Sequence, residues 1–194
     1  MIYLLITIYL LTLIYVFDYR KRNNGKSVWF TITCIVLICL SGLRYRVGGD
    51  TVGYMSMYDE FPTLFTVEWH IFSTQYQPLW NLYVLTCKTI SSDFAFLQFT
   101  HAIILNVSLF VFIRKRIRNV FTFIFFYFIL FYTLLNFEVL RESLAVAVSL
   151  MGFKYWEKKK WLPYYVFALI AYGFHVSAVI LFILPFFRYI QLKL

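Results

Sequence analysis

The chain has 194 residues, of which 62% are hydrophobic, 23% aromatic and 14% charged. A soluble globular domain is usually about 45–50% apolar and about 25% charged, so this composition excludes an ordinary water-soluble globule. The apolar runs are continuous and do not alternate, which favours an integral membrane protein of helices over a β-barrel. The net charge of +9 would suit nucleic acid, but its distribution does not. Twelve of the 18 basic residues fall in three short clusters between apolar runs. These are Arg20, Lys21, Arg22 and Lys26; Arg114, Lys115, Arg116 and Arg118; and Lys154, Lys158, Lys159 and Lys160. Positive charge of this kind is retained on cytoplasmic loops, so it reports topology, and no nucleic-acid partner is expected.

Residues 2–17 form the first expected span, with Asp18 and Tyr19 at the interface. No basic residue precedes it and a basic cluster follows. That is the pattern of a retained helix with its N-terminus outside, and not of a cleaved signal. Residues 28–43 return the chain outward. A long external loop over residues 44–77 follows, in which Arg44 and Arg46 are outnumbered by Asp50, Asp59, Glu60 and Glu68. The segment Pro78–Ile90, "PLWNLYVLTCKTI", is apolar but about half the length of a span. If it crossed and residues 94–113 crossed after it, the second basic cluster would land outside. It is therefore read as a re-entrant or interfacial helix, which predicts a cavity on the outer side. Residues 94–113 then cross inward and residues 120–135 outward. A short external turn over residues 136–143 precedes an inward crossing at residues 144–156. Residues 161–187 cross outward, with Pro163 in the first turn, where its missing N–H is harmless. The expected fold is all-α: one polytopic transmembrane helix bundle over residues 1–194, with about six spans plus the re-entrant or interfacial helix.

Cys34, Cys39 and Cys87 lack CxxC or Cys/His spacing and read as packing residues. No P-loop, nucleophile elbow or zinc motif occurs, so no metal site or cofactor is expected. Ionisable residues near membrane depth are costly and point to function. The topology gathers Arg44, Arg46, Asp50, Arg141 and His175 on the outer side. In "GLRYRVGGDTVGYMSMYDEF", residues 42–61, Gly48 and Gly49 permit a tight turn. Such a turn lets Asp50 fold back onto an arginine as a bidentate pair, and the arginine fork also suits phosphate. The plainer reading of Arg44 and Arg46 is interfacial snorkelling. Arg141 is either a ligand for anionic substrate or a salt-bridge partner of Glu138 or Glu142. His175, in "YGFHVSA", is either a hydrogen-bonded core histidine or a ligand-facing group among small, closely packed residues. His101 reads as a bridge between helices and His70 as a loop residue, neither with metal-ligand spacing.

Four stretches in order now carry a resemblance: "GLRYRVGGDTVGYMSMYDEF", "QPLWNLYVLTCKTI", "VLRESLAVAVSL" and "YGFHVSAVILFILPFF". Together they resemble the EpsG-like family of bacterial polysaccharide polymerases, relatives of the Wzy O-antigen polymerases. The resemblance implies an inner-membrane glycosyltransferase of exopolysaccharide, capsule or O-antigen biosynthesis, joining lipid-linked oligosaccharide repeat units at the outer face. Its substrate would be a polyprenyl-diphosphate-linked oligosaccharide and its leaving group a lipid diphosphate. Membrane lipid and other polysaccharide-assembly membrane proteins would be its partners. On matching positions it implies Arg46, Asp50 and Tyr54 from the first stretch, Arg141 from the third, and His175 and Ser177 from the fourth. The expected catalytic residues are Asp50, Arg141 and His175, and the expected substrate-binding residues are Arg44, Arg46, Tyr54 and Ser177. Arginines would stabilise charge on the departing diphosphate, and Asp50 or His175 would take the proton of the acceptor hydroxyl. Tyr54, Tyr58, Trp69 and Trp80 would stack on sugars or anchor at the interface. Family members usually carry further spans beyond the F-H-x-S helix, so a short or C-terminally truncated member is implied. Two other classes stay open: a transporter or flippase subunit for an anionic glycolipid, and a non-catalytic membrane assembly partner.

Overall fold

A computed structural model describes residues 1–68 and 77–187. Trp69 and His70 lie outside the described residues. Among the described residues the ordered elements are helices, and none is a strand. Helix α1, Ile2–Leu13, runs on as a π-helical turn over Ile14–Tyr19. It is followed by α2 (Lys26–Gly42), α3 (Thr51–Glu60), α4 (Pro78–Ile90), α5 (Phe94–Arg116) and α6 (Val120–Leu130). A π-helical turn over Leu134–Glu138 leads into α7 (Leu140–Glu157) and α8 (Trp161–Phe174). A 3-10 turn over Val176–Val179 then leads into α9 (Ile180–Phe187). Ile2–Tyr19 and Phe94–Arg116 are long and apolar enough to cross a membrane, and the remaining apolar helices are shorter.

Helix α5 is the axis of the bundle. At 23 residues it is about 34 Å long, and it packs on α2 and α7. Gly42 permits the α2 contact, because a Cβ there would lie 2.5 Å from Phe99 Cδ2. Polar side chains of α5 then hold its neighbours. Gln98 Nε2 donates to the carbonyls of Gly42 (2.9 Å) and Arg44 (2.8 Å), closing the end of α2. His101 Nε2 lies 2.7 Å from Ser143 Oγ and 3.2 Å from the Leu140 carbonyl, so it does bridge two helices. Asn106 donates to Asn136 (2.9 Å), which donates to the Tyr127 hydroxyl (2.9 Å), tying α5 to α6. These groups are buried, and such polar groups persist in an apolar interior only when paired.

Other bonds draw the three basic clusters to one end of the bundle. Asp18 accepts from the Thr122 N–H (2.8 Å) and hydroxyl (3.0 Å), capping the start of α6, and pairs with Lys26 at 3.3 Å. Lys26 also donates to the Arg118 carbonyl, and Arg116 clasps Glu157 with two bonds of 2.9 and 2.6 Å.

Three elements differ from the sequence expectation. The external loop contains a helix, α3, which starts immediately after Asp50. Helix α7 begins at Leu140, so Arg141 and Glu142 belong to its first turn and not to a connecting turn. The expected single span over residues 161–187 is broken at His175, whose backbone is extended (φ −154°, ψ 138°). Beyond the break α9 folds back along α8. The Tyr164 hydroxyl donates to the Leu181 carbonyl at 2.7 Å, and the Tyr165 and Phe182 rings stack at 6.1 Å. The physical cause is local capping: His175 accepts the Ser177 N–H at the start of the 3-10 turn.

Candidate functional site

Construction of the site begins at Gly48. Its φ of +114° lies in a region that favours glycine, and a Cβ there would meet Thr51 Oγ1 at 2.7 Å and Phe137 Cβ at 2.9 Å. Thr51 Oγ1 donates to the Val47 carbonyl at 2.7 Å and lies 3.5 Å from the Phe137 carbonyl. The loop therefore docks on the π-helical turn ahead of α7, which sets the start of α3 beside the start of α7. Helix α3 is anchored at its other end by Tyr58, which is fully buried and donates to the Ser91 carbonyl at 2.7 Å. Burial pushes its phenol above the ordinary range.

The result is a cavity of about 320 Å³ lined by Gly49, Asp50, Gly53, Tyr54, Met57 and Arg141. Asp50, Gly53, Tyr54 and Met57 recur at the i, i+3, i+4, i+7 spacing of one helix face. Gly49 and Gly53 leave the floor open, with no atom within 4 Å of a Cβ built on either. Tyr54 stands edge-on to the fully buried Trp80 of α4, ring centroids 5.8 Å apart. Asp50 is exposed, and its carboxylate makes no hydrogen bond or ion pair among the described residues. Arg141 is half-buried on the facing turn of α7.

Of the seven residues expected from sequence, Asp50, Tyr54 and Arg141 meet in this cavity. His175 and Ser177 do not line it. They meet instead at Glu142, the neighbour of Arg141: Ser177 Oγ lies 2.8 Å from His175 Nδ1 and 3.2 Å from Glu142 Oε1. Arg44 and Arg46 also stay out of the cavity, and Asp50 pairs with neither. Arg44 is committed to the loop itself, donating to the carbonyls of Ser41 (2.7 Å) and Val47 (3.0 Å) with its guanidinium 4.5 Å from the Phe137 ring centroid. Burial pushes it down to about 10, so it is still a cation at neutral pH. Arg46 is exposed and lies against the Tyr45 ring. Glu142 went unrecognised as a site residue because its sequence signal, beside Arg141, is that of a local salt bridge. Among the described residues no group of three His, Cys, Asp or Glu side chains could hold a metal ion.

The family model of the EpsG family matches residues 27–194. The chain belongs to the EpsG family. No curated protein and no solved structure matches it. Membership bears out the resemblance and makes this a membrane protein of polysaccharide biosynthesis. The matched region of this EpsG-family chain contains the whole cavity and the His175–Ser177–Glu142 cluster.

Proposed function

We propose that this EpsG-family protein polymerises lipid-linked oligosaccharide repeat units at the outer face of a bacterial inner membrane, with polyprenyl diphosphate as leaving group. The observation that carries this reading is the cavity in which Arg141 of α7 faces the Asp50–Tyr54 surface of α3. In the reaction an acceptor hydroxyl gives its proton to a base, Asp50 or His175, and bonds to the anomeric carbon while the bond from that carbon to a diphosphate oxygen breaks. Negative charge grows on the departing diphosphate, and the planar guanidinium of Arg141 supplies two parallel donors to it. Asp50 accepts hydrogen bonds from sugar hydroxyls, and Tyr54, backed by Trp80, offers a ring face to a sugar. The basic end of the bundle faces the cytoplasm by the retention of positive charge. The cavity, at the other end of α5, then faces outward, and α4 is a re-entrant helix forming its back wall.

The test is elongation of a polyprenyl-diphosphate-linked repeat unit by the purified chain, comparing wild type with Arg141→Lys. Lysine keeps the charge and loses the fork. The expected result is a loss of about 100-fold or more in kcat, in the range of one removed transition-state donor. Equal activity in the two proteins would remove Arg141 from the diphosphate site. Transport of the substrate without elongation would replace the polymerase reading with that of a flippase.

A further inference from the structure

A second cavity, of about 490 Å³, opens at the basic end of the bundle between α5, α7 and α8. Its walls are fixed by close contacts. Gly152 lets α8 press against α7, since a Cβ there would lie 2.6 Å from Phe167 Cβ. Phe112 of α5 stands edge-on to Phe153 of α7, ring centroids 5.5 Å apart. The Arg116 guanidinium lies 4.6 Å from the Phe112 ring centroid and clasps Glu157, which neutralises the carboxylate lining the cavity. Lys115, Lys154 and Lys158 also line it. None of the three makes a side-chain hydrogen bond or ion pair among the described residues. The Lys154 ammonium rests over the Tyr155 ring, 4.7 Å from its centroid, which leaves its charge in place.

The cavity is basic at one end and apolar at the other. On α5, Val111 precedes Lys115 by one turn; on α7, Met151 precedes Lys154 by one turn and Lys158 by two. Both helices finish at the basic end, so the lysines lie outermost and the apolar residues lie toward the middle of the bundle. Val111 and Met151 are 49% and 46% exposed. From Met151 to Lys158 the stripe is about 10 Å long, which sets charge at headgroup level and apolar surface at the level of acyl chains. A free anion would leave the apolar half bare, and a zwitterionic lipid would leave the lysines uncompensated. An anionic phospholipid satisfies both halves. Retention of positive charge and the dipoles of two helix ends account for lysines at this end. They do not account for three of them sharing a cavity with an apolar wall, when Lys159 and Lys160 of the same cluster do not line it.

We infer that this cavity binds one anionic phospholipid, with its phosphate among Lys115, Lys154 and Lys158 and an acyl chain against Val111 and Met151. The bound headgroup bridges the ends of α5 and α7. The site is independent of the polymerase reading. Native mass spectrometry of the full chain, titrated in detergent with phosphatidylglycerol or phosphatidylcholine, tests it. Wild type is expected to keep one phosphatidylglycerol and to hold it about 10-fold or more tighter than phosphatidylcholine. Lys154→Gln with Lys158→Gln is expected to weaken that binding about 10- to 30-fold, at roughly fivefold per lysine. Lys159→Gln with Lys160→Gln removes the same charge from outside the cavity and is expected to weaken it less than about threefold, because exposed charges are screened. These lysines are exposed, and an unchanged thermal midpoint without lipid is expected to show that each variant stays folded. Equal loss in the two lysine pairs, or equal binding of the two lipids, overturns the site in favour of diffuse charge. Displacement of the lipid by an equal concentration of glycerol phosphate overturns it in favour of a soluble anion.

Discussion

Of the glycine pair in "VGGD", sterics demand only the first. Gly48 combines φ of +114° with contacts under 3.0 Å to Thr51 and Phe137 for any added Cβ, whereas Gly49 faces open space. Gly48→Ala is expected to cost about 1–3 kcal/mol, the scale of a strained backbone position, and to lower the thermal midpoint in detergent. Gly49→Ala is expected not to lower it. A second residue-scale prediction concerns Glu157. The Arg116 guanidinium clasping it holds its carboxyl below the usual range. A depressed folded-state value means the clasp contributes fully above the unfolded value of about 4.3 and is lost as pH falls through the lower folded value. Hydrogen exchange at the end of α5 should therefore quicken below about pH 4, and Glu157→Gln should remove that dependence. Asp50 and Arg141 were legible because charged residues make up only 14% of the chain, whereas Tyr54, one of 16 tyrosines, is singled out only by the family resemblance. Glu142 was not legible, since its contact with Ser177 joins residues 35 apart through a fold-back that no local pattern announces.

At the scale of elements, legibility followed hydrophobic length and punctuation. Helix α4 coincides residue for residue with its expected bounds, because Pro78 opens it and Ser91 with Ser92 close it. Helix α3 was missed: "TVGYMSMYDE" contains a glycine and two β-branched residues, and tertiary anchoring at Tyr58 overrides that weak propensity. The break at His175 was missed because an unbroken apolar run looks like one span, and only Gly173 and the F-H-x-S cap hint at a turn. The hairpin makes a sharp distance prediction. Spin labels at Leu162 and Ile183, both exposed, would be about 32 Å apart along a continuous helix at 1.5 Å per residue. The fold-back expects them under about 20 Å by the same geometry. A pulsed-resonance distance near the longer value would restore the single span.

For the molecule as a whole, composition and charge clusters are enough to give the class, a helical membrane protein. The arrangement of the ends came from tertiary bonds that clusters alone do not specify, such as Asp18 capping α6. With Cys34, Cys39 and Cys87 first replaced by alanine, a cysteine at Arg118 is expected to react with an impermeant thiol reagent only from the cytoplasmic side. A cysteine at Asp50 is expected to react only from the outside. Reaction of both from one side would undo the placement of cavity and basic end on opposite faces. The central claim is that the Arg141 cavity joins repeat units as it releases polyprenyl diphosphate. It is tested most directly by incubating the full chain in proteoliposomes with a polyprenyl-diphosphate-linked repeat unit and measuring product length and released lipid diphosphate together. A ladder of longer glycans is expected, with one lipid diphosphate released per unit added. Release without elongation, or no reaction while the substrate is bound, would contradict it.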